Sequence, residues 1–509
     1  MLKMVHNIAS WYLKRRLDQI NHFRKHPFKV QQRLFEDLLE KGKDTKWGKH
    51  FGYGSIQTLR QFQEQVPLSS YEEIHPWIQR AFDGEEDVLW PGRTVWFSKS
   101  SGTTNDKSKF IPVTPEAMED CHFRAGQDFL AVYLENKPES KLFTGKSLSI
   151  GGSHNPHALQ PSVRFGDVSA VLTENLPAFY ELMRAPRKEV ALLSNWEEKL
   201  EAITKEVMNE DITSIAGVPT WTLVLIRHIL EKQGITSGNL LEVWPNLELY
   251  LHGGVSFAPY RDQFATLIPK ASMTYMDCYN ASEGFFGFQD EPDRQDLLLL
   301  LDHGIFYEFI KVEDLGQDHP RAVGIHEVAL GQNYALALST NAGLWRYLIG
   351  DTIRFTSLSP FKFQITGRTK QFINAFGEEL MVDNAETALS EASRETGAII
   401  ENYTAAPIYL EGKSKGGHEW LIEFRHEPDD FARFVSLLDE QLKQLNSDYE
   451  AKRQANLALE APVVRAMPIG TFERWMKKRG KLGGQHKVPR LANERKYVDD
   501  ILADVGSAT

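Results

Sequence analysis

The sequence has very little cysteine and no excess of positive charge. Only Cys121 and Cys278 occur among 509 residues, so a disulfide framework and a four-cysteine zinc site are both excluded, and a reducing compartment is expected. Asp and Glu number 69 against 58 Lys and Arg, which gives a formal net charge of -11. A long polyanion such as DNA would meet net repulsion unless a local basic patch bound it. The chain is therefore not expected to bind nucleic acid.

The sequence also lacks a long apolar run. No stretch approaches the 18 or more uninterrupted apolar residues of a membrane-spanning helix, and the best run, residues 221–230, is interrupted by Arg227 and His228. The N-terminal segment has its basic cluster after its apolar part, which is the reverse of a secretory signal. Its amphipathic pattern favours a helix packed on the core over one lying on a membrane surface. We expect a cytoplasmic protein without a membrane span.

What is present is typical of a large globular protein, with 42% hydrophobic and 25% charged residues. Residues 1–90 follow a helical period, and in residues 145–290 short apolar runs alternate with helical patterns, which indicates a mixed sheet covered by helices. Residues 300–366 contain five strand-like runs without helices between them, which predicts antiparallel β structure. The sequence thus predicts an α/β fold with a large domain, residues 1–366, and a smaller mobile α/β domain, residues 367–509.

The first candidate site is a polar loop, residues 99–109, that follows a strand-like run. Backbone N–H groups, hydroxyls and ammonium groups in such a loop can surround phosphate oxygens. The glycine spacing of a Walker A loop or of a dinucleotide fingerprint is absent, and alone such a segment is more often only a loop. The residues suited to phosphate are Ser100, Ser101, Gly102, Thr103, Thr104, Lys107 and Lys109.

Two isolated carboxylates form the next candidates. In YNASEGFFG, Glu283 follows a strand-like run, where a carboxylate can hold Mg²⁺; alternatively Ser282 caps a helix whose first turn contains Glu283. In WRYLIGDTIRF, Asp351 lies between two strand-like runs, where a carboxylate can accept both hydroxyls of a ribose; alternatively GD is an ordinary turn. The residues alone leave both alternatives open.

Two basic segments complete the set. Arg368 and Lys370 lie where the β-rich pattern gives way to an α/β pattern, which fits either a functional junction or a solvated linker. Residues 471–491 hold seven Lys or Arg against one Glu, although a charge run is usually a solvated face. Each segment is a weak signal by itself, so their order along the chain carries more information than any one of them.

That order is the one found in adenylate-forming enzymes, and the chain more closely resembles the Gretchen Hagen three family of acyl acid amido synthetases. SSGTTNDKSKFIP is similar to the family's first motif, YNASEGFFG to its second and LWRYLIGD to its third. GTFERWMKKRGKLGGQHKVPRL is similar to its C-terminal GTF and Q-x-K-x-PR pattern. The motifs extend over residues 97–491. Gly284 and Leu348 depart from the pattern, so contacts of those two side chains cannot be carried over.

The resemblance implies that ATP activates a carboxylic acid as an acyl-adenylate with release of pyrophosphate. An amine, expected to be an amino acid, then takes the acyl group and forms an amide. Mg²⁺ is the implied metal, and the expected partners are these small molecules, with the protein itself a monomer. Two alternatives stay open: an acyl-CoA ligase of the same superfamily, and a nucleotide-binding sensor without turnover.

The resemblance also implies a role for each matching residue. Glu283 would support Mg²⁺ and the α-phosphate, and Lys487 would come from the small domain to serve adenylation. Asp351 with Arg368 would hold the ribose. Gly253 and Gly254 are candidates for the adenine edge, because glycine allows close approach of the backbone. The remaining nucleotide-binding residues would be Ser100, Ser101, Gly102, Thr103, Thr104, Lys109 and Ser282. No general base for the second step is identified.

Overall fold

The structure is a computed structural model. It describes residues 11–13, 15–100, 109–152, 154–156, 163–254, 257–317, 319–369, 372–373, 380–408, 416–446, 449–450, 453, 459–480, 487–492 and 494–506. Among these residues no helix has the length and apolar character needed to cross a membrane.

Helices dominate the described residues between Arg16 and Phe82, as the helical period of residues 1–90 predicts. Several begin at the capping residues expected from local chemistry: the Glu73 carboxylate accepts a hydrogen bond from Ser70 N at 2.7 Å, and Thr114 Oγ1 accepts one from Ala117 N at 3.0 Å. The helices are Arg16–Lys25, Pro27–Gly42, Lys46–His50, Leu59–Gln65, Tyr71–Phe82, Pro115–Ala117, a π-helix Met118–Phe123, Arg124–Asn136, Val168–Glu174, Ala178–Glu181, Lys188–Ala191, Trp196–Val207, Pro219–Lys232, Arg261–Leu267, Val382–Thr396, Phe431–Leu445, Thr471–Lys478 and Lys496–Gly506. Short 3₁₀ turns are Tyr53–Ser55, Leu142–Thr144, Leu240–Glu242, Ala258–Tyr260 and Val312–Asp314.

The described strands, in chain order, are β1 (Trp96–Ser100), β2 (Lys109–Val113), β3 (Lys146–Ser149), β4 (His154–Pro156), β5 (Arg164–Gly166), β6 (Arg184–Ala185), β7 (Ile212–Ala216), β8 (Leu249–Gly253), β9 (Thr274–Ala281), β10 (Gly284–Phe288), β11 (Leu297–Leu299), β12 (Ile305–Lys311), β13 (Ala322–Val323), β14 (Asn333–Thr340), β15 (Tyr347–Leu358), β16 (Phe361–Arg368), β17 (Phe372–Ile373), β18 (Leu380–Met381), β19 (Ile399–Ile408), β20 (Gly417–His426) and β21 (Val463–Met467).

One twelve-stranded mixed sheet organises most of the chain, with the order β13-β12-β14-β15-β16-β11-β10-β9-β8-β7-β3-β6. Strands β6, β3, β7, β8 and β9 are parallel, and every pair from β9 to β13 is antiparallel. The prediction of a mixed α/β fold is therefore confirmed. The carboxyl ends of the parallel strands lie at one edge, which is where ligands bind in sheets of this kind.

The antiparallel part agrees with the sequence pattern except at one run. Residues 326–331, HEVALG, are turn and irregular structure, and the short strand β13 precedes them instead. Val328 is buried whereas Leu330 is 62% exposed, so an alternating pattern here reflects a loop that packs one side chain inward. An alternation of two or three residues does not distinguish such a loop from a strand.

Smaller sheets flank the large one. A four-stranded sheet has the order β2-β1-β5-β4, β17 pairs with β18, and a three-stranded sheet has the order β19-β20-β21. The strand-like run before the polar loop is β1, which continues to Ser100 and so includes the first residues of that loop.

The buried apolar side chains form separate clusters. The helices before residue 83 pack on the antiparallel part of the large sheet, and Trp196–Val207, Pro219–Lys232 and Arg261–Leu267 pack on its parallel part. Another cluster joins Val382–Thr396 and Phe431–Leu445 to β19 and β20. The strands β15 and β16, which carry Asp351 and Arg368, contribute to the first of these clusters.

Candidate active site

A bulge in the backbone of strand β15 determines the position of Asp351. Gly350 has φ +87°, and the pairing of β15 with β14 shifts register at this point, so GD is a bulge inside a strand and the alternative of an ordinary turn is wrong. Asp351 is opposite Arg368 in the β15–β16 ladder, and Arg368 Nε donates to Asp351 Oδ1 at 2.5 Å. Tyr279 OH donates to the other oxygen, Oδ2. Asp351 is 6% exposed, and both oxygens of its carboxylate accept hydrogen bonds from the protein.

Glu283 lies in a two-residue hairpin turn between β9 and β10, so the alternative of a helix cap at Ser282 is wrong. Tyr347 OH donates to Glu283 Oε1 at 3.4 Å. Burial raises the pKa of Glu283, and the positive charge of Lys109 partly opposes that shift. Ser282 Oγ accepts a hydrogen bond from Ser98 Oγ at 2.9 Å, which attaches the hairpin to β1.

The predicted phosphate loop connects β1 to β2. Ser100 pairs with Lys109 in the antiparallel ladder, so the two ends of the loop are adjacent. Ser98 on the same strand contacts the Ser282 turn, which brings the loop ends next to Glu283. Lys109 Nζ also lies 5.3 Å from the centre of the Tyr71 ring. Ser101, Gly102, Thr103 and Thr104 lie outside the described residues, as does Lys370.

Lys487 reaches the carboxyl end of β8. Its ammonium donates to Gly254 O, directly after the strand, although the residue as a whole is exposed. The pKa of Lys487 is lowered to about 8, first by burial of the ammonium group among protein atoms and then by the charge of Arg368. Asp351 opposes this shift. Lys487 therefore shares an electrostatic environment with the Asp351–Arg368 pair.

The two glycines at the end of β8 differ. Gly254 has φ +80°, and a Cβ there would lie 3.4 Å from Lys487 Nζ. A Cβ on Gly253 would lie 2.5 Å from Cys278 O on β9, which is too close for any side chain. Gly253 is thus required for the packing of β8 against β9.

Sequence reasoning missed the two tyrosines that hold the carboxylates. Tyr279 is four residues before Glu283, and Tyr347 is four residues before Asp351, but the hydrogen bonds cross: Tyr279 binds Asp351 and Tyr347 binds Glu283. Both tyrosines lie inside the quoted motifs, which is the signal that could have identified them. The crossed arrangement fixes the β9–β10 hairpin relative to β15.

The described site therefore combines three cations with two carboxylates at the carboxyl ends of β8 and β9. Cations can bind phosphate oxygens, and the two carboxylates can accept hydroxyl hydrogen bonds or bind a divalent cation. The set is Lys109, Arg368, Lys487, Glu283 and Asp351.

A second group of potential ligands, Asp128, Asp302 and His303, lies away from this edge of the sheet. Arg16 Nε is 2.6 Å from Asp128 Oδ1, so a guanidinium already occupies that carboxylate. His303 directs Nε2 towards Asp128 at 3.2 Å and Nδ1 towards Asp302 at 2.8 Å, which places the two carboxylates at opposite ends of the ring. This arrangement is a buried charge network, and it is unsuited to a single metal ion.

Comparison with known families gives matches along most of the chain. The GH3 family N-terminal domain matches residues 16–273, the GH3 family central domain residues 298–368 and the GH3 family C-terminal domain residues 383–496.

Relatives from plants are similar over most of their length. Indole-3-acetic acid-amido synthetase GH3.3 of Arabidopsis thaliana is 22% identical over 91% of this chain and 89% of its own. The 4-substituted benzoates-glutamate ligase GH3.12 of Arabidopsis thaliana is 22% identical over 92% of this chain and 93% of its own. Jasmonoyl--L-amino acid synthetase JAR4 of Nicotiana attenuata is 22% identical over 64% of this chain and 66% of its own.

Two solved structures show the same fold. GH3.15 acyl acid amido synthetase superposes with a TM-score of 0.79 at 16% identity and covers 96% of both chains. 2-Hydroxyisobutyryl-CoA ligase in the postadenylation state superposes with a TM-score of 0.60 at 12% identity, over 94% of this chain and 91% of that chain.

Proposed function

Because the chain belongs to the GH3 family, we propose that it activates a carboxylic acid with ATP and transfers the acyl group to an amine. The relatives named above are an indole-3-acetic acid-amido synthetase, a jasmonoyl--L-amino acid synthetase and a 4-substituted benzoates-glutamate ligase. The observation that carries the proposal is the convergence of Glu283, Asp351, Arg368 and Lys487 at one edge of the sheet. Glu283, Asp351 and Lys487 come from the second, third and C-terminal motifs, and Arg368 comes from the basic segment that follows the third motif.

The chemistry needs ATP because a carboxylate is a poor electrophile whose leaving group would be oxide. In the first step a carboxylate oxygen attacks the α-phosphorus, the bond to the bridging oxygen breaks, and pyrophosphate leaves with its electrons. In the second step the amine attacks the acyl carbon and AMP leaves, with loss of one proton from the amine. Negative charge grows on the phosphates in the first step, so fixed cations there favour its transition state.

We assign the nucleoside to the Asp351 side of the site. Asp351, oriented by Arg368 and Tyr279, accepts hydrogen bonds from the ribose hydroxyls. Ser282 and the Gly253–Gly254 backbone lie beside the same strand ends and are assigned to the remainder of the nucleoside. A carboxylate that is already buried loses little hydration when it accepts these bonds.

We assign the phosphates to the loop after β1 and to the cations around Glu283. The loop residues are Ser100, Ser101, Gly102, Thr103 and Thr104, and Lys109 follows where the loop ends. Glu283 fits a divalent cation because it is an oxygen ligand beside the assigned phosphates. Bound Mg²⁺ would supply charge neutralisation and polarise the phosphoryl oxygens.

Lys487 supplies the cation that the adenylation step requires. Its ammonium lies at the end of β8 and interacts with Arg368 and Asp351, so it is close to the assigned phosphates. We propose that residues 367–509 form a small domain that brings Lys487 to the large domain, residues 1–366, and moves away when the amine enters.

An amino acid is favoured over coenzyme A as the acceptor. The basic helix Thr471–Lys478 and the residue after it could have bound the phosphates of coenzyme A. Their cations have protein partners instead: Lys478 pairs with Asp504 at 2.5 Å, and Lys477 pairs with Glu197 at 3.2 Å. Arg479 lies 4.0 Å from Asp500. These acids reduce the positive potential of the segment.

The test is an exchange assay between ATP and pyrophosphate over a panel of carboxylic acids, followed by mass spectrometry of reactions with an amino-acid mixture or coenzyme A. We expect exchange with at least one acid and an N-acyl amino acid as product. Acyl-CoA without N-acyl amino acid would identify an acyl-CoA ligase. Nucleotide binding without exchange across the panel would identify a sensor and would contradict the proposal.

A further inference from the structure

The helix Pro219–Lys232 has Arg227 and His228 within an otherwise apolar stretch, residues 221–230, and each of the two side chains has a defined partner. His228 Nε2 lies 2.9 Å from Glu201 Oε2, within the same part of the chain. Arg227 instead contacts the C-terminal part of the chain, residues 367–509: its Nη1 donates to Glu401 Oε1 at 2.9 Å. Glu401 belongs to β19. The two side chains are 29% and 26% exposed, so this ion pair is partly shielded from water.

The same arginine also contacts the segment that follows β8. Arg227 Nη2 donates to Gln263 Oε1 at 2.8 Å, and the same amide oxygen accepts from Arg425 of β20 at 3.4 Å. Gln263 lies on the helix Arg261–Leu267. A guanidinium presents several donors in a rigid fork, so one side chain can bind both parts at once.

Further contacts between the two parts lie on that segment. Arg490 Nη2 donates to Tyr260 OH at 3.5 Å, while its Nη1 donates to Asn402 Oδ1 at 2.5 Å next to Glu401. Lys487 donates to Gly254 O. The C-terminal part therefore contacts this segment at Gly254, Tyr260 and Gln263. Arg227 also binds the last of these residues, Gln263.

We infer that Arg227 is a positioning residue that holds the C-terminal part against residues 254–263, so that Lys487 reaches Gly254. The inference rests on the proposed function, because it takes the step served by Lys487 to be adenylation. The Arg227–Glu401 pair exists only while the two parts are in contact. It therefore stabilises the docked arrangement, in which the C-terminal part contacts residues 254–263, relative to an open arrangement without that contact. The difference equals the free energy of the ion pair.

The experiment measures docking directly and needs no acid substrate. Nitroxide labels on cysteines introduced at Glu36 and Glu440, both exposed, report the distance between the two parts in the full chain, without ligand and with AMP. We expect a single narrow distance distribution for the unsubstituted chain with AMP. In Arg227→Met we expect a second, different distance, with the docked population reduced about 2- to 30-fold relative to the open one.

The charge-swapped variant Arg227→Glu with Glu401→Arg provides the rescue, and we expect it to restore the narrow distribution. Lys477→Met is the matched control, because the Lys477–Glu197 pair joins the same two parts but both side chains are exposed. We expect this control to leave the distribution unchanged. If Arg227→Met does not fold, Glu401→Gln removes the same ion pair from the other side.

A folded Arg227→Met or Glu401→Gln chain with the distribution of the unsubstituted chain would overturn the inference, as would a swap that fails to restore it. Failure of the proposed function is distinguishable, because it would show as absent exchange in the unsubstituted chain while the distances still responded to Arg227. With an acid that supports exchange, Arg227→Met should slow exchange and the swap should recover it.

Discussion

At the residue scale, each carboxylate of the candidate site is oriented by groups from other segments. Asp351 is bound by Arg368 and Tyr279, and Glu283 by Tyr347. A carboxylate whose oxygens are fixed in this way loses little entropy when a ligand hydroxyl binds to it. The geometry therefore suits recognition of a ribose. The contribution of single side chains to ATP binding can be measured by substitution.

Asp351→Ala should weaken ATP binding by roughly 1 to 3 kcal/mol, because the proposed hydrogen bonds to the ribose hydroxyls would be lost. Titration calorimetry with ATP measures the change, and a thermal melt establishes that the variant is folded. Asp37→Ala, at a side chain that is 61% exposed, is the control and should bind ATP normally. Unchanged affinity in folded Asp351→Ala would remove the ribose assignment.

Lys487 should give the exchange reaction an alkaline limit. Its pKa is lowered to about 8 by burial and by Arg368, so the ammonium form, which we propose neutralises phosphate charge, is present below about pH 8 and is lost above it. Exchange between ATP and pyrophosphate should therefore fall as pH rises through this range. Lys487→Ala should lose about 10²- to 10³-fold in exchange rate.

Lys487→Arg separates charge from other effects of the side chain, because arginine stays protonated throughout the accessible pH range. We expect the exchange rate of Lys487→Arg, whatever its absolute value, to stay constant above pH 8. The control Lys477→Arg should show the same alkaline limit as the unsubstituted chain. An identical alkaline limit in Lys487→Arg would show that another group titrates.

At the element scale, the bulge in β15 is what turns Asp351 towards Tyr279 and Arg368. Gly350 adopts φ +87°, which costs an L-residue with a side chain about 1 to 2 kcal/mol. Its Cβ would meet only Thr369 Oγ1, at an ordinary 3.6 Å, so substitution adds backbone strain without a clash. The bulge thus links a local backbone preference to the position of a binding group.

Gly350→Ala should lose about 1 to 2 kcal/mol of unfolding free energy and should also weaken ATP binding. Gly331→Ala is the matched control, because Gly331 has φ +78° and open space around its Cβ position, away from the site. We expect equal losses of stability in urea unfolding but a loss of ATP affinity only at Gly350. Equal affinity in the two variants would show that the bulge does not set the position of Asp351.

At the scale of the whole molecule, a buried charge network attaches the first helices to the sheet. Arg16, Asp128 and His303 meet where Arg16–Lys25 crosses Arg124–Asn136 and the loop before β12, with Asp302 and Arg124 beside them. Burial alone would lower the pKa of His303, but the charges of Asp302 and Asp128 outweigh it and raise the pKa. Protonated His303 therefore stabilises the fold.

This network predicts a pH dependence of stability. Below the unfolded pKa of about 6.5 both states hold the proton on His303 and the stabilisation is complete. As pH rises through the raised folded pKa, that contribution is lost, at up to about 1.4 kcal/mol per pH unit. Urea unfolding between pH 6 and 9 should therefore show a fall that His303→Asn lacks.

His326→Asn serves as the control for that measurement, because the His326 side chain is 57% exposed. We expect its unfolding free energy to follow the pH dependence of the unsubstituted chain. Parallel curves for His303→Asn and the unsubstituted chain would show that His303 does not bind its proton more tightly in the folded state.

The family, the mixed α/β class and the elements with strong local signals could all be predicted from the sequence. Thr114 and Pro115 begin a helix as expected, and the strand-like runs of residues 333–368 form β14, β15 and β16. These features depend on residues within a few positions of one another, because capping bonds and side-chain periodicity are local. For the same reason the motifs could be recognised before their geometry was known.

How these local signals are used depends on contacts between distant parts of the chain. The sequence pattern could not decide whether GD is an ordinary turn, and pairing of β15 with β14 shows that it is a bulge. The pattern also could not decide whether Ser282 caps a helix, and pairing of β9 with β10 shows that it lies in a hairpin turn. The crossed tyrosine bonds and the contact of Arg227 with Glu401 join residues that are far apart in the chain. Such contacts are selected by sheet order and packing, which no short window of sequence contains.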